Sequence, residues 1–415
     1  MKWNKLGRGT LASILSLALV SVTACSRDYV LAYVYVTTAK PLTGSSPNGG
    51  VSAYAVDYQI GSLTPLSDSP IPAGRNPVTL VASPNGLNLY VINHDDSSVG
   101  EYSIGTDGKI FLQNTYNITG SQATAVAMDA AGAFLYVTFT FQLGPNGQQL
   151  YSPASPGPGG VTIFPIKSDG SLGSPSTVKV GNNPVGVVVS RPKSGSTFAY
   201  VLDQETATTT PFVLGFSQNP TTGALTPTPG TVITTDSTGR TIATGYKAGV
   251  VPSAIAEDPS GRFVYITDEA TNQLYGNLVA ADGSLVAMQT SPFATGIFPV
   301  GITIDPRGKY LYVANFTSST VGAYVIDQAS GAPVGSTGSA STATDTSPTC
   351  VTVEPALGIY LYTSNNLASD VSALQLDPHN GGLKQVQNTP FPSGGLPTCA
   401  VSVANGSHPT QIIVN

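Results

Sequence analysis

Polar and acidic side chains recur at one position of this sequence, three residues after the tyrosine of a Tyr-Val-like pair. That position is occupied by Thr38, Asn93, Phe139, Asp203, Asp268, Asn315 and Asn365. Carboxylate and amide oxygens suit a hard cation such as Ca²⁺. The carboxylates available for one are Asp203, Glu205, Asp268 and Glu269. Alternatively, Asn and Asp satisfy backbone groups at the start of a turn. A polar residue at nearly every occurrence of this position favours the structural role, so we expect no metal and no other cofactor.

Histidine is the other source of chemistry, and the sequence has only three: His94, His379 and His408. His379 lies in a hairpin-like segment and His408 in the C-terminal tail. His94, in the run Asn93-His94-Asp95-Asp96, is therefore the one weak candidate for a general base. The sequence contains no G-x-S-x-G, P-loop, H-E-x-x-H or C-x-x-C motif. The candidate binding residues are Asn93, His94, Asp203, Asp268, Asn315 and Asn365.

Two cysteines occupy equivalent positions, since Cys350 and Cys399 both follow Pro-Thr. The corresponding residues of the other copies are all small: Thr79, Thr124, Gly186, Ala254 and Gly301. Adjacent equivalent strands can bring two Cα atoms within the ~7 Å that a disulfide needs, and exported proteins keep such bonds. We therefore treat Cys350 and Cys399 as a disulfide candidate; the alternative is two small buried thiols.

The elements that must position these residues are short strands. The stretch from Phe298 to Val334 shows period-2 alternation broken by Gly, Pro, Asn, Asp and Ser, which is typical of antiparallel strands joined by hairpins. Its second strand recurs around Tyr35, Tyr90, Tyr136, Tyr200, Tyr265, Tyr312 and Tyr362. An innermost strand follows Pro77, Gln122, Pro184, Pro252, Pro299, Pro348 and Pro397. The offset between the two series predicts an all-β, seven-bladed propeller of four-stranded blades, whose seventh blade is shared by the N- and C-termini.

Three second strands resemble YVTN repeats. They are Tyr312-Val313-Ala314-Asn315, Tyr90-Val91-Ile92-Asn93 and Tyr265-Ile266-Thr267-Asp268. Their frame, P-x-G-x-x-x-Y-V, is similar to that of lactonase-type seven-bladed propellers, the relatives of 6-phosphogluconolactonase and carboxymuconate cyclase, over residues 29–403. The resemblance implies lactone chemistry, which needs a base and a donor for the oxyanion. A phosphosugar would also need basic residues near its phosphate. The face with the long insertions offers few of them: Arg75, Arg240 and Lys247.

The first residues resemble a bacterial lipoprotein signal. Lys2, Lys5 and Arg8 precede an apolar run that is too short to span a bilayer, and Val22-Thr23-Ala24-Cys25 resembles a lipobox. The resemblance implies cleavage after residue 24, lipidation of Cys25 and export to the cell envelope, with Ser26 favouring the outer membrane. An ordinary secretory signal with an incidental cysteine is the alternative. Residues 25–415 would then form a single propeller domain.

The mature chain would carry 14 basic and 23 acidic residues, a net charge of −9. An acidic chain without a basic run argues against nucleic acid as a partner. The long insertions, Phe139–Gly160, Pro229–Val251 and Pro333–Ser347, all fall on one face of the disc. Function usually resides on such loops. We therefore expect a monomeric, membrane-tethered binding or scaffold module for a glycan, peptide or protein, with a lactonase as the alternative. The tail Gln411–Asn415 resembles a further strand whose place stays open.

Overall fold

The computed structural model describes residues 30–42, 47–143, 158–192, 195–204, 210–235, 237, 241–406 and 408. These residues form strands and turns, and none of them belongs to a helix able to cross a lipid bilayer. Cys25, Glu205, Arg240 and the tail Gln411–Asn415, for which the sequence predicted roles or left a place open, lie outside the described residues.

Seven antiparallel blades of four strands surround a central axis. From the axis outward, blade one consists of Pro77–Ala82, Asn88–Asn93, Ser98–Ile104 and Ile110–Asn117. Blade two consists of Gly120–Met128, Phe134–Gln142, Gly160–Pro165 and Ser176–Lys179. Blade three consists of Pro184–Val189, Phe198–Asp203, Phe212–Gln218 and Leu225–Pro227. Blade four consists of Pro252–Glu257, Phe263–Asp268, Gln273–Val279 and Leu285–Ala287.

The remaining blades follow the same order from the axis outward. Blade five consists of Pro299–Ile304, Tyr310–Asn315, Thr320–Ile326 and Pro333–Gly335, and blade six of Pro348–Val353, Tyr360–Asn365, Asp370–Leu376 and Leu383–Gln385. Blade seven consists of Pro397–Ala404, Val30–Thr38, Asn48–Asp57 and Leu63–Pro65. Short strands that lead towards the next blade also pair with five of the third strands: Ile71–Arg75, Tyr246–Lys247, Phe293–Ala294, Ser341–Ala343 and Phe391–Pro392. A separate hairpin joins Val232–Thr235 to Thr241–Thr244.

Blade seven confirms the predicted sharing of the chain's two ends. Its innermost strand comes from the C-terminal side and pairs antiparallel with the first strand of the chain, so that Thr37 lies opposite Cys399 and Tyr35 opposite Val401. Contacts between neighbouring innermost strands run all the way round the axis. Both ends are thus hydrogen-bonded into the ring, which leaves no open blade edge at the junction.

The seven tyrosines that mark the second strands are fully buried, and each joins its blade to the next. Every hydroxyl donates a hydrogen bond of 2.6–3.0 Å to the carbonyl of a glycine in the hairpin between the third and fourth strands of the following blade. The pairs are Tyr35–Gly108, Tyr90–Gly170, Tyr136–Gly223, Tyr200–Gly283, Tyr265–Gly331, Tyr312–Gly381 and Tyr362–Gly61. Burial raises the pKa of all seven hydroxyls, so they remain donors.

Two details predicted from the sequence are wrong. In blade two Phe139 pairs with Ala123, whereas its counterpart Asn93 pairs with Pro77. The register of blade two is therefore shifted by one residue from the predicted one. Ala123 takes the proline position and Ala125, rather than Thr124, the small position, because no proline marks this strand. The segment Pro333–Ser347 is also not an insertion. It supplies the fourth strand of blade five and the short strand that pairs with Thr320–Gly322.

Removing one of these tyrosine hydroxyls tests their contribution. Tyr312→Phe leaves the buried carbonyl of Gly381 without its donor, which should cost about 1–3 kcal/mol of unfolding free energy. Tyr58→Phe is the matched control, because Tyr58 is 41% exposed and should change stability by less than about 0.5 kcal/mol. Denaturant unfolding of the two variants measures the difference, and equal midpoints would contradict the assigned role.

The two repeat cysteines join blades six and seven. Their sulphur atoms are 2.15 Å apart as a disulfide, their Cα atoms are 4.8 Å apart, and 49 positions separate them along the chain. The bond thus connects the last complete blade to the blade that the two termini share.

Thiol titration provides the test. Denatured, unreduced protein carrying Cys25→Ala should show no free thiol, and two free thiols would contradict the bond. Cys399→Ala should lower the unfolding free energy by about 2–4 kcal/mol, since a loop of this length is then unconstrained in the unfolded chain. Wild-type protein measured in reductant should show a similar loss, which separates the bond from the side-chain change.

Candidate functional site

One face of the disc carries the loops between second and third strands together with the segments that enter each innermost strand. In most blades the same backbone hydrogen bond connects the loop after the second strand to the segment that enters the first strand. The N–H that follows the second strand donates to the carbonyl that precedes the first strand, as from His94 to Asn76 at 3.0 Å and from Phe316 to Phe298 at 2.9 Å. We call this the loop-bearing face. Its inner rim surrounds the mouth of the central channel.

The recurring polar residues lie on this face, but they point into the protein. Asn93, Asp203, Asp268 and Asn315 are at most 2% exposed. Their oxygens accept backbone N–H groups of the entering segments: Gly74 on Asn93 at 3.0 Å, Asn183 on Asp203 at 2.9 Å, Val251 on Asp268 at 3.2 Å and Gly296 on Asn315 at 3.1 Å. This geometry is that of the structural alternative, in which the side chains anchor a turn.

Glycines make this anchoring possible. A Cβ atom on Gly74 would lie 2.6 Å from the Asn93 Cγ, and one on Gly296 would lie 2.6 Å from the Asn315 Cγ. The entering backbone therefore has to lie flat against the anchoring side chain, and only glycine allows that approach.

Blade six departs from this pattern. Asp345 takes the place of the glycine, and Asp370 takes the place that Ser98 and Thr320 fill in blades one and five. The Asn365 amide donates to the Asp370 carboxylate at 2.7 Å and to the Ser372 hydroxyl at 2.8 Å. Burial and the neighbouring Asp345 raise the pKa of Asp370 to about 6. Two carboxyl groups thus face each other, although within the described ranges no three His, Cys, Asp or Glu residues are grouped to hold a metal ion.

His94 lies on the loop-bearing face, in a charged cluster of blade one. Its Nδ1 is 2.7 Å from the Asp95 carboxylate, and this hydrogen bond lowers the pKa of Asp95. The Arg75 guanidinium pairs with Asp96 at 2.5 Å and donates to the Asp95 carbonyl at 2.9 Å. The His94 side chain is 27% exposed, so a solute can reach it.

The other two histidines lie elsewhere. His379 has a similar pairing, 3.2 Å from Asp377, but it is 91% exposed on the opposite face. His408 stacks on Tyr58 with ring centroids 5.3 Å apart. Of the other predicted basic residues, Lys247 lies exposed in a short strand paired with Phe212.

A cavity of about 250 Å³ lies on the axis, just inside the loop-bearing mouth. Its walls are the first residues of the innermost strands in all seven blades, including Thr79, Ala125, Ser253, Thr349 and the disulfide. The described residues that line it include no ionisable side chain, and His94 is not among them. The small residues near the start of the innermost strands were visible in the sequence, but they did not reveal a neutral cavity.

Apolar side chains at the channel mouth were also missed. Ile297, Phe298, Leu367 and Leu396 are 37–62% exposed, and the rings of Phe298 and Phe316 are 5.9 Å apart. For Phe298 and Leu396 the available signal was a large apolar residue directly before the proline that opens a strand. No candidate list built from polar residues could include it.

Comparison with known proteins places this geometry in a family. Residues 33–194 and 193–353 match the family described as lactonase, 7-bladed beta-propeller. No protein of curated function matches the sequence. A candidate 6-phosphogluconolactonase from Bacteroides fragilis aligns with a TM-score of 0.67 and 20% identity, over 91% of this chain and 99% of the other.

Two further solved structures share the fold. A candidate 6-phosphogluconolactonase from Bacteroides uniformis has a TM-score of 0.67 and 18% identity, over 90% of this chain and 99% of the other. The periplasmic gluconolactonase of Pseudomonas aeruginosa has a TM-score of 0.65 and 19% identity, again over 90% and 99%. Sequence identities this low show only that the fold is shared. The family match, in contrast, covers most of the chain. The protein is therefore a member of the lactonase family of seven-bladed β-propellers.

Proposed function

We propose that this protein is an exported, lipid-anchored propeller that works as a binding or scaffold module and recognises its ligand with the loop-bearing face. The observation that carries the proposal is the neutral axial cavity. Among the described residues, a ligand seated there meets hydroxyls, small aliphatic groups and backbone, and neither a base nor a cation lines the cavity. The carboxylates of Asp203 and Asp268 accept backbone N–H groups and are not part of the cavity lining.

Export and anchoring rest on the N-terminal signal. The basic residues, the short apolar run and the lipobox-like Val22–Cys25 support lipidation of Cys25. Residue 30, where the described part of the chain begins, already lies in blade seven. Few residues would then separate the lipid from the disc, so the propeller would sit close to the membrane. The name of the Pseudomonas aeruginosa gluconolactonase, whose fold this chain shares, also places that protein in the periplasm.

A lactonase is the second candidate, and the cluster around His94 favours it. A histidine held by a carboxylate can act as a general base, and Arg75 brings a positive charge to the same loop. Three of the solved structures similar in fold carry lactonase names. Against this candidate, the Arg75 charge is already paired with Asp96, which leaves less of it for a phosphate or an oxyanion.

Lactone turnover distinguishes the two candidates. We expect purified protein to hydrolyse glucono-δ-lactone and 6-phosphogluconolactone no faster than buffer at neutral pH, and His94→Ala to leave that rate unchanged. His379→Ala is the matched control, because it removes a similar His–Asp pair from the opposite face. Turnover that falls at least about 100-fold in His94→Ala but stays intact in His379→Ala would establish the lactonase instead.

Membrane attachment is tested separately. In a bacterial host, the full-length protein should enter the detergent phase of a Triton X-114 separation and carry the mass of a diacylglycerol on residue 25. The Cys25→Ala variant should stay in the aqueous phase, because no acyl chain then contributes its ~0.8 kcal/mol per buried CH₂. Aqueous partitioning of both proteins would show an ordinary secretory signal.

A further inference from the structure

The second strand of blade seven determines where the end of the chain that would carry the lipid leaves the disc. Val30–Thr38 ends on the loop-bearing face, where the N–H of Ala39 donates to the carbonyl of Leu396 at 3.0 Å. The strand begins on the opposite face, which carries the hairpins between first and second strands. Its 9 residues, at about 3.3 Å each, make the disc roughly 30 Å deep here. The chain that precedes Val30 therefore joins the disc at the opposite face.

Chain length limits how far from this point a lipid on Cys25 can lie. From Cys25 to Val30 even a fully extended chain covers at most ~18 Å. The loop-bearing face is roughly 30 Å away through the disc, and a path around the disc is longer still. A bilayer that holds the lipid therefore has to lie on the side of the opposite face, next to blade seven.

Exposed apolar side chains occur on this part of the opposite face. Tyr58 and Ile60, in the hairpin between the third and fourth strands of blade seven, are 41% and 46% exposed. Leu87, in the first hairpin of blade one, is 57% exposed. The ring of His408 stacks on Tyr58 and adds to the same surface. We call the surface formed by these four residues the blade-seven sector.

The blade-seven sector is built around the point where the chain enters the disc. The Asn405 amide donates to the carbonyl of Val30 at 2.9 Å. A cavity of about 360 Å³ lies between the turn Ser83–Gly86 of blade one and the residues Asn405 and His408. Leu87 directly follows that turn. The apolar side chains of blades seven and one are thus gathered where the bilayer has to lie.

Charged groups near the sector already have partners within the protein. The Asp57 carboxylate accepts the N–H groups of Gln59 and Ile60 at 2.8 and 2.9 Å, and Lys109 pairs with Asp68 at 3.4 Å. The net charge of −9 of the mature chain gives no attraction to anionic headgroups. Contact with a bilayer therefore has to come from the apolar side chains and the lipid.

We propose that the blade-seven sector lies against the bilayer that holds the lipid of Cys25, with Tyr58, Ile60 and Leu87 in the headgroup region. The inference rests on the lipid anchor proposed above and specifies how that anchor orients the disc. Tyrosine suits this region because its ring is apolar and its hydroxyl stays hydrated. The loop-bearing face then points away from the membrane, so the axial cavity takes its ligand from the aqueous compartment and not from the bilayer.

A single introduced tryptophan can report on its own surroundings, because the only tryptophan of the sequence is Trp3, within the signal. Tyr58→Trp and Leu87→Trp place this reporter in the blade-seven sector. Leu367→Trp is the matched control, since Leu367 is 62% exposed on the loop-bearing face. Each lipidated protein is added to preformed phosphatidylcholine vesicles whose acyl chains are brominated close to the headgroup. Tyr58→Trp and Leu87→Trp should lose about half of their emission, because interfacial side chains reach the boundary between headgroups and acyl chains; Leu367→Trp should lose none.

Flotation of the same vesicles separates the orientation from the anchor. Protein that floats with the vesicles and is quenched only at positions 58 and 87 supports the proposal. Protein that floats but is quenched at position 367, or at none of the three positions, refutes the orientation and keeps the anchor. Protein that does not float refutes both. Each tryptophan variant combined with Cys25→Ala should neither float nor be quenched, and quenching without the lipid at position 367 would also overturn the orientation.

Discussion

The hydrogen bond from a buried tyrosine to a glycine carbonyl of the next blade is the interaction on which the rest of this structure depends. It recurs at all seven interfaces, including the two that involve the shared blade, Tyr362 to Gly61 and Tyr35 to Gly108. Each glycine has a positive φ, and a Cβ atom on it would collide with a neighbouring side chain, as with Tyr33 at Gly108. A buried tyrosine hydroxyl and a glycine in the hairpin of the next blade therefore determine how neighbouring blades pack. The same contact at seven interfaces closes the ring.

A ring fixed in this way determines what the loop-bearing face can offer. In blades one, three, four and five the anchoring Asn and Asp side chains hold the entering segment, so they are not available to a ligand. Function is then to be sought where a blade departs from the common pattern. Blade one places His94 and Arg75 in one cluster, blade six replaces glycine with Asp345, and blades five and seven place Phe298 and Leu396 in left-handed backbone.

The repeat could be predicted from the sequence because the alternation of apolar and polar residues in a strand, and the residues of a turn, are local properties. The tyrosine spacing predicted seven blades, and the offset between first and second strands predicted the shared one; both are confirmed. The register of blade two was missed because Ala123 stands where the innermost strands of the other blades have a proline. The direction of the Asp203 and Asp268 side chains could not be read, since it depends on a backbone segment some 17–20 residues earlier in the chain that folds against them. The neutrality of the axial cavity could not be predicted either, because it depends on side chains that seven separate strands bring together.

The two histidine–aspartate pairs bear on the choice between the proposed binding function and the lactonase. His379 and Asp377 form a similar pair in a hairpin of the opposite face, where His379 is 91% exposed and Asp377 also accepts the backbone N–H of His379. A polar turn can thus produce such a pair by itself, so the pair of His94 and Asp95 does not establish catalysis on its own. What distinguishes the His94 loop is Arg75, and that charge is paired with Asp96. The positive φ angles of Phe298 and Leu396 belong to the repeat, since Asn76, Gln122 and Ser347 share them, and what sets these two residues apart is their exposed apolar side chains.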